Sequence, residues 1–478
     1  MTMTRRELLE NSMWATASAA ALAFTPKPLA AAAPKSGANE ILRVAVVGVK
    51  GRGTAHLSEF AAMKDVQVAA IVDIDEAVVE PAIKIVERKG GKAPQVHTDI
   101  RKMLEDKSID AISIATTNHT HSLFSIWAMQ AGKHVYVEKP VSHNMWEGRK
   151  VVEAARKYNR VCQHGTQSRS NKGMREAVEF IHAGKIGKLS LVRGFCYKSR
   201  KSIGSFPDGP VPAGVNYDLW LGPAPERPFN KNRFHYNWHW YWDYGCGDIG
   251  NQGVHEMDRA RWGMNKNELP KKVVSVGGRL GYEDSAETPN TMVSLMDYGD
   301  VQFIFEVRGL DTEDVKKVKV GVIYEGENGY VVNPNYASAT AFDKEGKQVA
   351  SFGGGGDTAH FRNFVDACRT GKREDLNAEI EQGHLSAALC HLPNISYRVG
   401  AKGTLDKADP FQGNAAAQEA LERMRKHLAS NGVAANAPVT VGKMLSIDLK
   451  TEKFVGDEDA NKLLTREYRK PFVVPENV

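Results

Sequence analysis

LRVAVVGVKGRG, residues 42–53, begins with a continuous apolar run of buried-strand length, Leu42–Val47, and ends in a glycine-rich turn, Gly48–Gly53. A helical pattern follows from Thr54 to Met63. Such a turn lets bare backbone approach a diphosphate, and the helix start presents unpaired N–H groups to it. The spacing is G-x-x-G-x-G, with Lys50 in place of the usual middle glycine. The turn alone leaves two interpretations open, a diphosphate cradle and an ordinary strand-to-helix connection.

Strand and helix patterns alternate after this turn. Val66–Val72 is a second predicted strand, and further strands are predicted at Asp110–Ala115, His134–Val137 and Val161–Gln167. This alternation predicts a doubly wound parallel sheet with helices on both faces. Asp73 closes the second strand near the spacing expected for the acid that accepts ribose hydroxyls, so NAD is favoured over NADP. The alternative for Asp73 is a cap for a helix beginning near Asp75.

Two polar segments follow the next predicted strands. They are TTNHTH, residues 116–121, and Glu138-Lys139-Pro140. Both should lie at the carboxyl edge of the sheet, where such folds bind ligands. In order and spacing, the glycine turn and these two segments resemble the Gfo/Idh/MocA oxidoreductase family, and the resemblance runs from about residue 42 to residue 400. The resemblance implies a bound NAD (NADP is less favoured) that contacts Gly48, Gly51, Arg52, Gly53, Asp73, Thr116, Asn118, His121, Glu138 and Lys139. We expect the NAD to be tightly held, because free NAD is scarce outside the cytoplasm.

The second half of the chain contains apolar stretches with the alternating pattern of strands that are buried on one face. They are predicted at Leu189–Tyr197, 273–277, 291–296, 301–307 and 318–324, with a hairpin turn at 297–300. The fold class is therefore α/β: an N-terminal Rossmann domain and a C-terminal α/β domain whose large, open, mainly antiparallel sheet is covered on one face. The predicted divisions are a leader at 1–33, a linker at 34–40, the Rossmann domain at 41–163, a substrate-binding and oligomerisation domain at 164–400 and an extension at 401–478.

An aromatic segment precedes most of those strands. Seven of the eleven residues from Phe234 to Tyr244 are Phe, Trp or Tyr. Flat rings suit the faces of sugars, so Trp238, Trp240 and Tyr244 are candidate substrate contacts. The alternative is a set of aromatics that fills a seam between domains. His235 and His239 have a spacing that suits a metal on a helix, but no third ligand is evident and no metal site is predicted.

The next segment, GCGDIGNQGVHEMD at 245–258, resembles the family's glycine-rich helix entry, which normally ends D-x-G-x-H. His255 matches the family's histidine, whereas Asn251 stands where the carboxylate belongs and cannot accept a proton. On one helix the two would share a face. We expect His255 to act as acid/base, Lys139 to stabilise the alkoxide and Asn251 to orient substrate. Asp248 is a further candidate substrate contact.

The composition excludes several classes of protein. With 478 residues, 42% hydrophobic and 25% charged, the chain is long enough for two cored domains. The net charge of +6 is spread along the sequence, which argues against nucleic acid or a membrane surface as partner. Five widely spaced cysteines, at 162, 196, 246, 368 and 390, read as buried thiols.

The first 33 residues have the pattern of an export signal. Arg5 and Arg6 precede an uncharged run from Asn11 to Thr25, and small residues at 30–33 offer a cleavage site. Paired arginines suggest the twin-arginine export machinery and a periplasmic or otherwise exported protein. The alternative is an amphipathic N-terminus.

These observations predict an exported oxidoreductase that transfers hydride to or from a secondary alcohol of a sugar, sugar derivative or cyclitol, as a homo-oligomer. The first alternative is a glycoside hydrolase or lyase that uses NAD for transient oxidation and elimination. The second alternative is a cofactor-free sugar-binding protein.

Overall fold

The computed structural model describes residues 41–478. The predicted leader and linker, residues 1–40, lie outside the described residues. Within the described range, no helix is both long and apolar enough to cross a bilayer.

The first sheet has six parallel strands in the order β3-β2-β1-β4-β5-β6. This confirms the predicted Rossmann fold. The strand β1 lies at the centre between β2 and β4. Its residues are buried from both faces, which explains why its sequence is a continuous apolar run. The strands are β1 (Leu42–Val47), β2 (Val66–Val72), β3 (Gln95–His97), β4 (Ala111–Ile114), β5 (His134–Val137) and β6 (Cys162–His164).

In the described part of the chain, five α-helices accompany this sheet, and the first of them begins at Arg52, within the glycine turn. They are α1 (Arg52–Ala61), α2 (Val79–Arg88), α3 (Ile100–Leu104), α4 (Asn118–Gln130) and α5 (Met145–Lys157).

The second sheet is large and mainly antiparallel, as predicted. Its main path is β14-β13-β12-β11-β7-β10-β9-β8-β16-β15, in which β7 and β10 form a parallel pair, and β17 joins β8 and β18. The strands are β7 (Leu189–Tyr197), β8 (Lys272–Gly278), β9 (Thr291–Asp297), β10 (Gln302–Arg308), β11 (Val320–Gly326), β12 (Gly329–Asn333), β13 (Ala339–Asp343), β14 (Gln348–Phe352), β15 (Ala401–Thr404), β16 (Pro438–Val441), β17 (Leu445–Asp448) and β18 (Lys453–Phe454).

The remaining helices pack around this sheet or between the domains. They are α6 (Lys172–His182), α7 (Tyr217–Leu221), α8 (Gly247–Asn251), α9 (Gly253–Gly263), α10 (Asp357–Thr370), α11 (Ile380–Arg398), α12 (Ala415–Ser430) and α13 (Glu458–Lys462).

The expectation of one covered face is wrong for the centre of this sheet. On one side, α9 and α11 pack in a cluster that includes Met257 and Phe303. On the other side, α12 buries Leu421 against Val274 and Val293. Both alternating sets of side chains on β8 and β9 are therefore in apolar cores.

The segment 401–478 is built into both domains. Its strands β16 and β17 extend the second sheet through β8. Its end carries Phe472 and Val474 into the apolar core of the Rossmann domain, beside residues of α4 and α5. The tail therefore ties the two domains together.

Candidate active site

A cleft of about 450 Å³ lies at the carboxyl edge of the Rossmann sheet. One wall is formed by the glycine turn and by the segments that follow β2, β4 and β5. The other wall comes from the second domain, with α7, the aromatic segment and the end of α8. The sheet edge and the domain seam therefore meet in one hollow, which is where open α/β sheets bind ligands.

Close packing requires glycine at two positions of the turn. Gly48 has φ +80°, and a Cβ there would lie 2.7 Å from the carbonyl oxygen of Ala115. A Cβ on Gly53 would lie 1.9 Å from the carbonyl oxygen of Gly48. No side chain of the described residues caps α1. The N–H groups of Gly53 and Thr54 donate to the carbonyl oxygens of Lys50 and Gly51, and those of Gly51 and Arg52 remain available to an anion at the turn. Gly51, Arg52 and Lys50 line the same part of the cleft.

Asp73 holds the turn from the neighbouring strand. Its Oδ2 accepts a hydrogen bond of 2.9 Å from the N–H of Val49, and its Oδ1 accepts one of 3.1 Å from the N–H of Asp75. Burial raises the pKa of this carboxyl. Helix capping near residue 75 is done by Asp75 itself, whose carboxylate accepts from the N–H of Ala77.

The buried carboxylate of Glu138 forms an ion pair with the partly exposed Arg52 of the turn. The Arg52 Nε donates to Glu138 Oε1 over 2.9 Å, and His56 Nε2 lies 3.1 Å from the same oxygen. Burial raises the pKa of Glu138, but Arg52 and His56 outweigh it and hold the pKa well below its usual range. Arg52 also reaches Asp357 of α10 over 2.6 Å. Glu138 is thus a fixed anion that positions Arg52.

His121 joins the two segments that follow β4 and β5. Its Nδ1 lies 2.7 Å from the carbonyl oxygen of Pro140 and its Nε2 lies 3.1 Å from that of Thr116. Burial lowers its pKa. Thr116, Asn118 and His121 all line the cleft.

Lys139 reaches across the cleft to the second domain. Its Nζ donates to the carbonyl oxygen of Asn251 over 2.5 Å. The Asn251 Nδ2 in turn donates to the Tyr236 hydroxyl over 3.3 Å. Burial lowers the pKa of Lys139. An ammonium, an amide and a phenol therefore stand together at one end of the cleft.

The predicted single helix carrying Asn251 and His255 is interrupted at Gln252. Asn251 ends α8, and His255 lies in the first turn of α9. The His255 ring is 7% exposed and lies 4.7 Å from the Tyr336 ring, centroid to centroid. Burial and the nearby Lys139 hold its pKa well below the usual value, so the ring is neutral at neutral pH. His255 is close to Lys139 but is not among the residues that line the 450 Å³ cleft.

The aromatic segment divides between cleft and core. Trp238 lines the cleft. Tyr244 is fully buried in an aromatic cluster with Trp220, which matches the seam alternative. Trp240 and Tyr244 do not line this cleft. The Arg200 guanidinium lies over the Trp240 ring, 5.5 Å from the ring centroid.

Asp248 is also absent from the cleft wall. Its buried carboxylate forms an ion pair of 2.8 Å with Arg200. The Asp248 carboxylate is therefore bound to another residue of the second domain and does not face the cleft.

Two family profiles together match most of the chain. Residues 42–166 match the oxidoreductase family with an NAD-binding Rossmann fold, and residues 185–431 match the C-terminal alpha/beta domain of the same family. The chain belongs to the Gfo/Idh/MocA family. The matched C-terminal profile ends within the tail that follows residue 400, beyond the end of the resemblance seen in sequence.

The chain is also similar to individual curated proteins. It is 28% identical over 156 residues to an alpha-N-acetylgalactosaminidase of Shewanella oneidensis, covering 31% of this chain and 34% of that protein. It is 29% identical over 184 residues to a glycosyl hydrolase family 109 protein of Shewanella baltica, covering 36% of this chain and 39% of that protein. The match thus spans little more than a third of these relatives.

Solved structures share the fold. The WlbA dehydrogenase from Bordetella pertussis in complex with NADH and UDP-GlcNAcA has a TM-score of 0.57 at 19% identity, over 76% of this chain and 98% of that one. Levoglucosan dehydrogenase in complex with NADH has a TM-score of 0.56 at 18% identity, over 73% of this chain and 95% of that one.

Sequence reasoning missed several residues that this Gfo/Idh/MocA chain places at the cleft. Tyr236 and His239 line it, and the His239 Nδ1 lies 2.5 Å from the Tyr236 carbonyl oxygen. His235 pairs with Asp75 over 3.1 Å. The aromatic composition indicated the segment, but only the folded loop shows which of its side chains face the cleft.

Proposed function

We propose that the protein is an exported NAD-dependent oxidoreductase that transfers hydride to or from a secondary alcohol of a sugar, sugar derivative or cyclitol. The observation that carries this proposal is the single cleft that joins the glycine turn, Asp73 and Lys139. A diphosphate on the turn and a ribose on Asp73 leave Lys139 at the far end for the reacting groups.

The residues present fit NAD. The N–H groups of Gly51 and Arg52 suit a diphosphate, and the Asp73 carboxylate suits ribose hydroxyls while repelling a 2′-phosphate. When bound, the nicotinamide supplies a hydride acceptor or donor.

Contacts across the edge of the cleft support tight retention of the cofactor. The N–H of Asn216 donates to the carbonyl oxygen of Ile74 over 2.8 Å, and His235 pairs with Asp75. The nucleotide would leave only after these contacts opened.

Lys139, His255 and Asn251 would share the work on substrate. The Lys139 ammonium would hold the reacting hydroxyl and stabilise negative charge on its oxygen. His255, which is neutral and within electrostatic reach of Lys139, would take the hydroxyl proton from a substrate that extends past the lining of the cleft to its ring. Asn251 would orient the substrate, and Trp238 would contact the sugar face.

A second candidate function is glycoside cleavage through transient oxidation. In this route a ring hydroxyl would be oxidised to a ketone as its hydride passes to NAD+, and the C–H beside the ketone would then lose its proton to a base. The aglycone would leave with the bonding electron pair and take up a proton, water would add to the resulting enone, and the hydride would return to the carbonyl. The glycosidase names of the Shewanella relatives favour this route, although the matches cover only a third of those proteins. A cofactor-free sugar-binding protein would leave the glycine turn and Asp73 without a purpose.

One experiment separates these functions. The exported form is purified, its bound nucleotide is released and identified, and the protein is incubated with sugars and aryl glycosides. A lasting NADH absorbance with a keto-sugar supports the dehydrogenase. Aglycone release without net NADH supports cleavage. No nucleotide and no affinity for added NAD would leave only the binding protein.

Export and oligomerisation are proposed from the sequence. The paired arginines before an apolar run support the twin-arginine route to the periplasm. Cell fractionation with an Arg5→Lys, Arg6→Lys variant tests this, because the twin-lysine chain should stay in the cytoplasm. Size-exclusion chromatography with light scattering tests the homo-oligomer.

A further inference from the structure

A second cleft, of about 200 Å³, shares no lining residue with the NAD cleft. It is bounded by the segment that follows Glu138-Lys139-Pro140, by the loop at 242–246, by the end of α11 and by the tail at 463–467. Its wall carries two arginines, Arg398 and Arg466. None of the functions proposed above uses this cleft.

Arg466 is held in place by fixed acceptors. Its Nη1 donates to the carbonyl oxygen of Asp243 over 2.8 Å and faces the His143 Nδ1 at 3.3 Å. The His143 Nε2 lies 2.8 Å from the carbonyl oxygen of Trp242. His143 therefore donates through Nε2 and accepts through Nδ1, the arrangement of a neutral ring. The other guanidinium edge of Arg466 is left without a protein partner in the described chain.

Arg398 forms no ion pair with any of the described residues. Its guanidinium lies over the Trp242 ring, 5.0 Å from the centroid. Across residues 41–478, no carboxylate lies within ion-pair distance of Arg398 or Arg466. Asp243 is paired with Arg227 over 2.7 Å, which leaves Glu467 as the other carboxylate of the wall. Two guanidinium groups thus line one cleft, and the carboxylates that act on them, Asp243 and Glu287 on Arg398 and Glu147 on Arg466, do so from beyond ion-pair distance.

A buried acceptor completes the cleft. Asn394 is 4% exposed, and its Nδ2 donates to the carbonyl oxygen of Cys246 over 2.9 Å. Its Oδ1 has no hydrogen-bond partner among the described residues. An unpaired buried acceptor favours a ligand that brings a donor such as a hydroxyl group.

We propose that this cleft binds a small oxyanion, a carboxylate or a sulfate, between Arg398 and Arg466. Planar guanidinium groups match the paired oxygens of such anions. The anion is either free or borne by a sugar, and the sugar source would also supply a hydroxyl to the Asn394 Oδ1.

Isothermal titration of the purified full-length protein tests the site at constant ionic strength. The probes are sodium sulfate, sodium glucuronate, glucose 6-sulfate and neutral glucose. We expect saturable binding of the anions and none of glucose. Tighter binding of the two acidic sugars than of sulfate identifies the sugar-borne group, and equal or weaker binding identifies the free ion.

Three variants assign the binding to this cleft. Arg398→Ala and Arg466→Lys should each weaken anion binding at least about tenfold, because each removes a charge-assisted or bidentate contact. Glu467→Gln is the matched control and should bind as tightly as the unaltered protein, or more tightly. NADH affinity and the unfolding midpoint, which should not change in Arg398→Ala, separate this site from the NAD cleft. The proposal would be overturned if the protein showed no saturable anion binding. It would also be overturned if Arg398→Ala and Arg466→Lys bound the anions as tightly as the unaltered protein.

Discussion

Replacing Gly53 with alanine should damage NAD binding while sparing the fold. The new Cβ would lie 1.9 Å from the carbonyl oxygen of Gly48. The turn would have to open by about 1.5 Å to restore ordinary van der Waals contact. A shift of that size breaks backbone hydrogen bonds to a diphosphate, and each such bond to a charged group is worth about 1.5–3 kcal/mol. Loss of two bonds corresponds to an increase of about 10²- to 10⁴-fold in the NADH dissociation constant.

The assay is a fluorescence titration of NADH, accompanied by thermal unfolding of each variant. Gly53 lies in α1, where alanine is the better helix former, so propensity offsets part of the strain and the protein should still fold. Gly209→Ala is the matched control, because a Cβ at Gly209 meets no atom within 4 Å. An NADH affinity of Gly53→Ala within about twofold of the control would refute the diphosphate role of the turn.

Three further predictions concern charge. Lys139→Ala should lower turnover by at least about 10³-fold while NADH binding and folding persist; steady-state kinetics with undiminished turnover would remove Lys139 from the reaction. Asp73→Asn should reduce the preference for NAD over NADP by at least about tenfold, measured by competitive titration of the two nucleotides, and an unchanged ratio would contradict the ribose role. Burial raises the pKa of Glu452, but hydrogen bonds from His384 and Arg149 outweigh it and hold the pKa at about 2, below the ordinary 4.5. Ionised Glu452 should therefore stabilise the fold above about pH 4.5, and this contribution should be lost as the pH falls towards 2. In denaturant unfolding, the free energy of unfolding of Glu452→Gln should fall less steeply across that pH range. A pH profile as steep as that of the unaltered protein would contradict this prediction.

The Rossmann domain was the part most completely predictable from the sequence. The predicted bounds of β1, β2 and β5 coincide with the observed ones, because strands buried on both faces are continuous apolar runs with clear ends. The last predicted strand, 161–167, is only Cys162–His164. The residues after it continue into a short 3₁₀ helix at Gln167–Ser170, a change that an apolar pattern does not specify.

The second domain was predicted less completely, for two physical reasons. Alternation predicts which residues share a face, but it does not say that α12, far along the chain, covers the second face of the sheet. The continuous helix predicted across Asn251 and His255 breaks at Gln252, where flanking glycines weaken helix propensity. One of them, Gly253, packs so closely that a Cβ would lie 2.8 Å from the Phe305 ring.

The residues of the candidate site were likewise predictable in the Rossmann domain and less predictable in the second domain. Polar residues placed after parallel strands meet at one edge, so Asp73, Thr116 and Lys139 could be assigned to the cleft from the sequence. The aromatic segment is a loop with a short 3₁₀ helix, Asn237–Trp240, and no period relates its residues to a face. Composition therefore indicated Trp238 and Tyr244 equally, although the cleft receives only the first of these two.

The most direct measurement is calorimetric titration of NADH into the purified protein after removal of any bound nucleotide. We expect saturable binding of one NADH per chain. Absence of saturable binding, or NADH heats that are the same for the unaltered protein and Gly53→Ala, would contradict the assignment of this cleft to a dinucleotide.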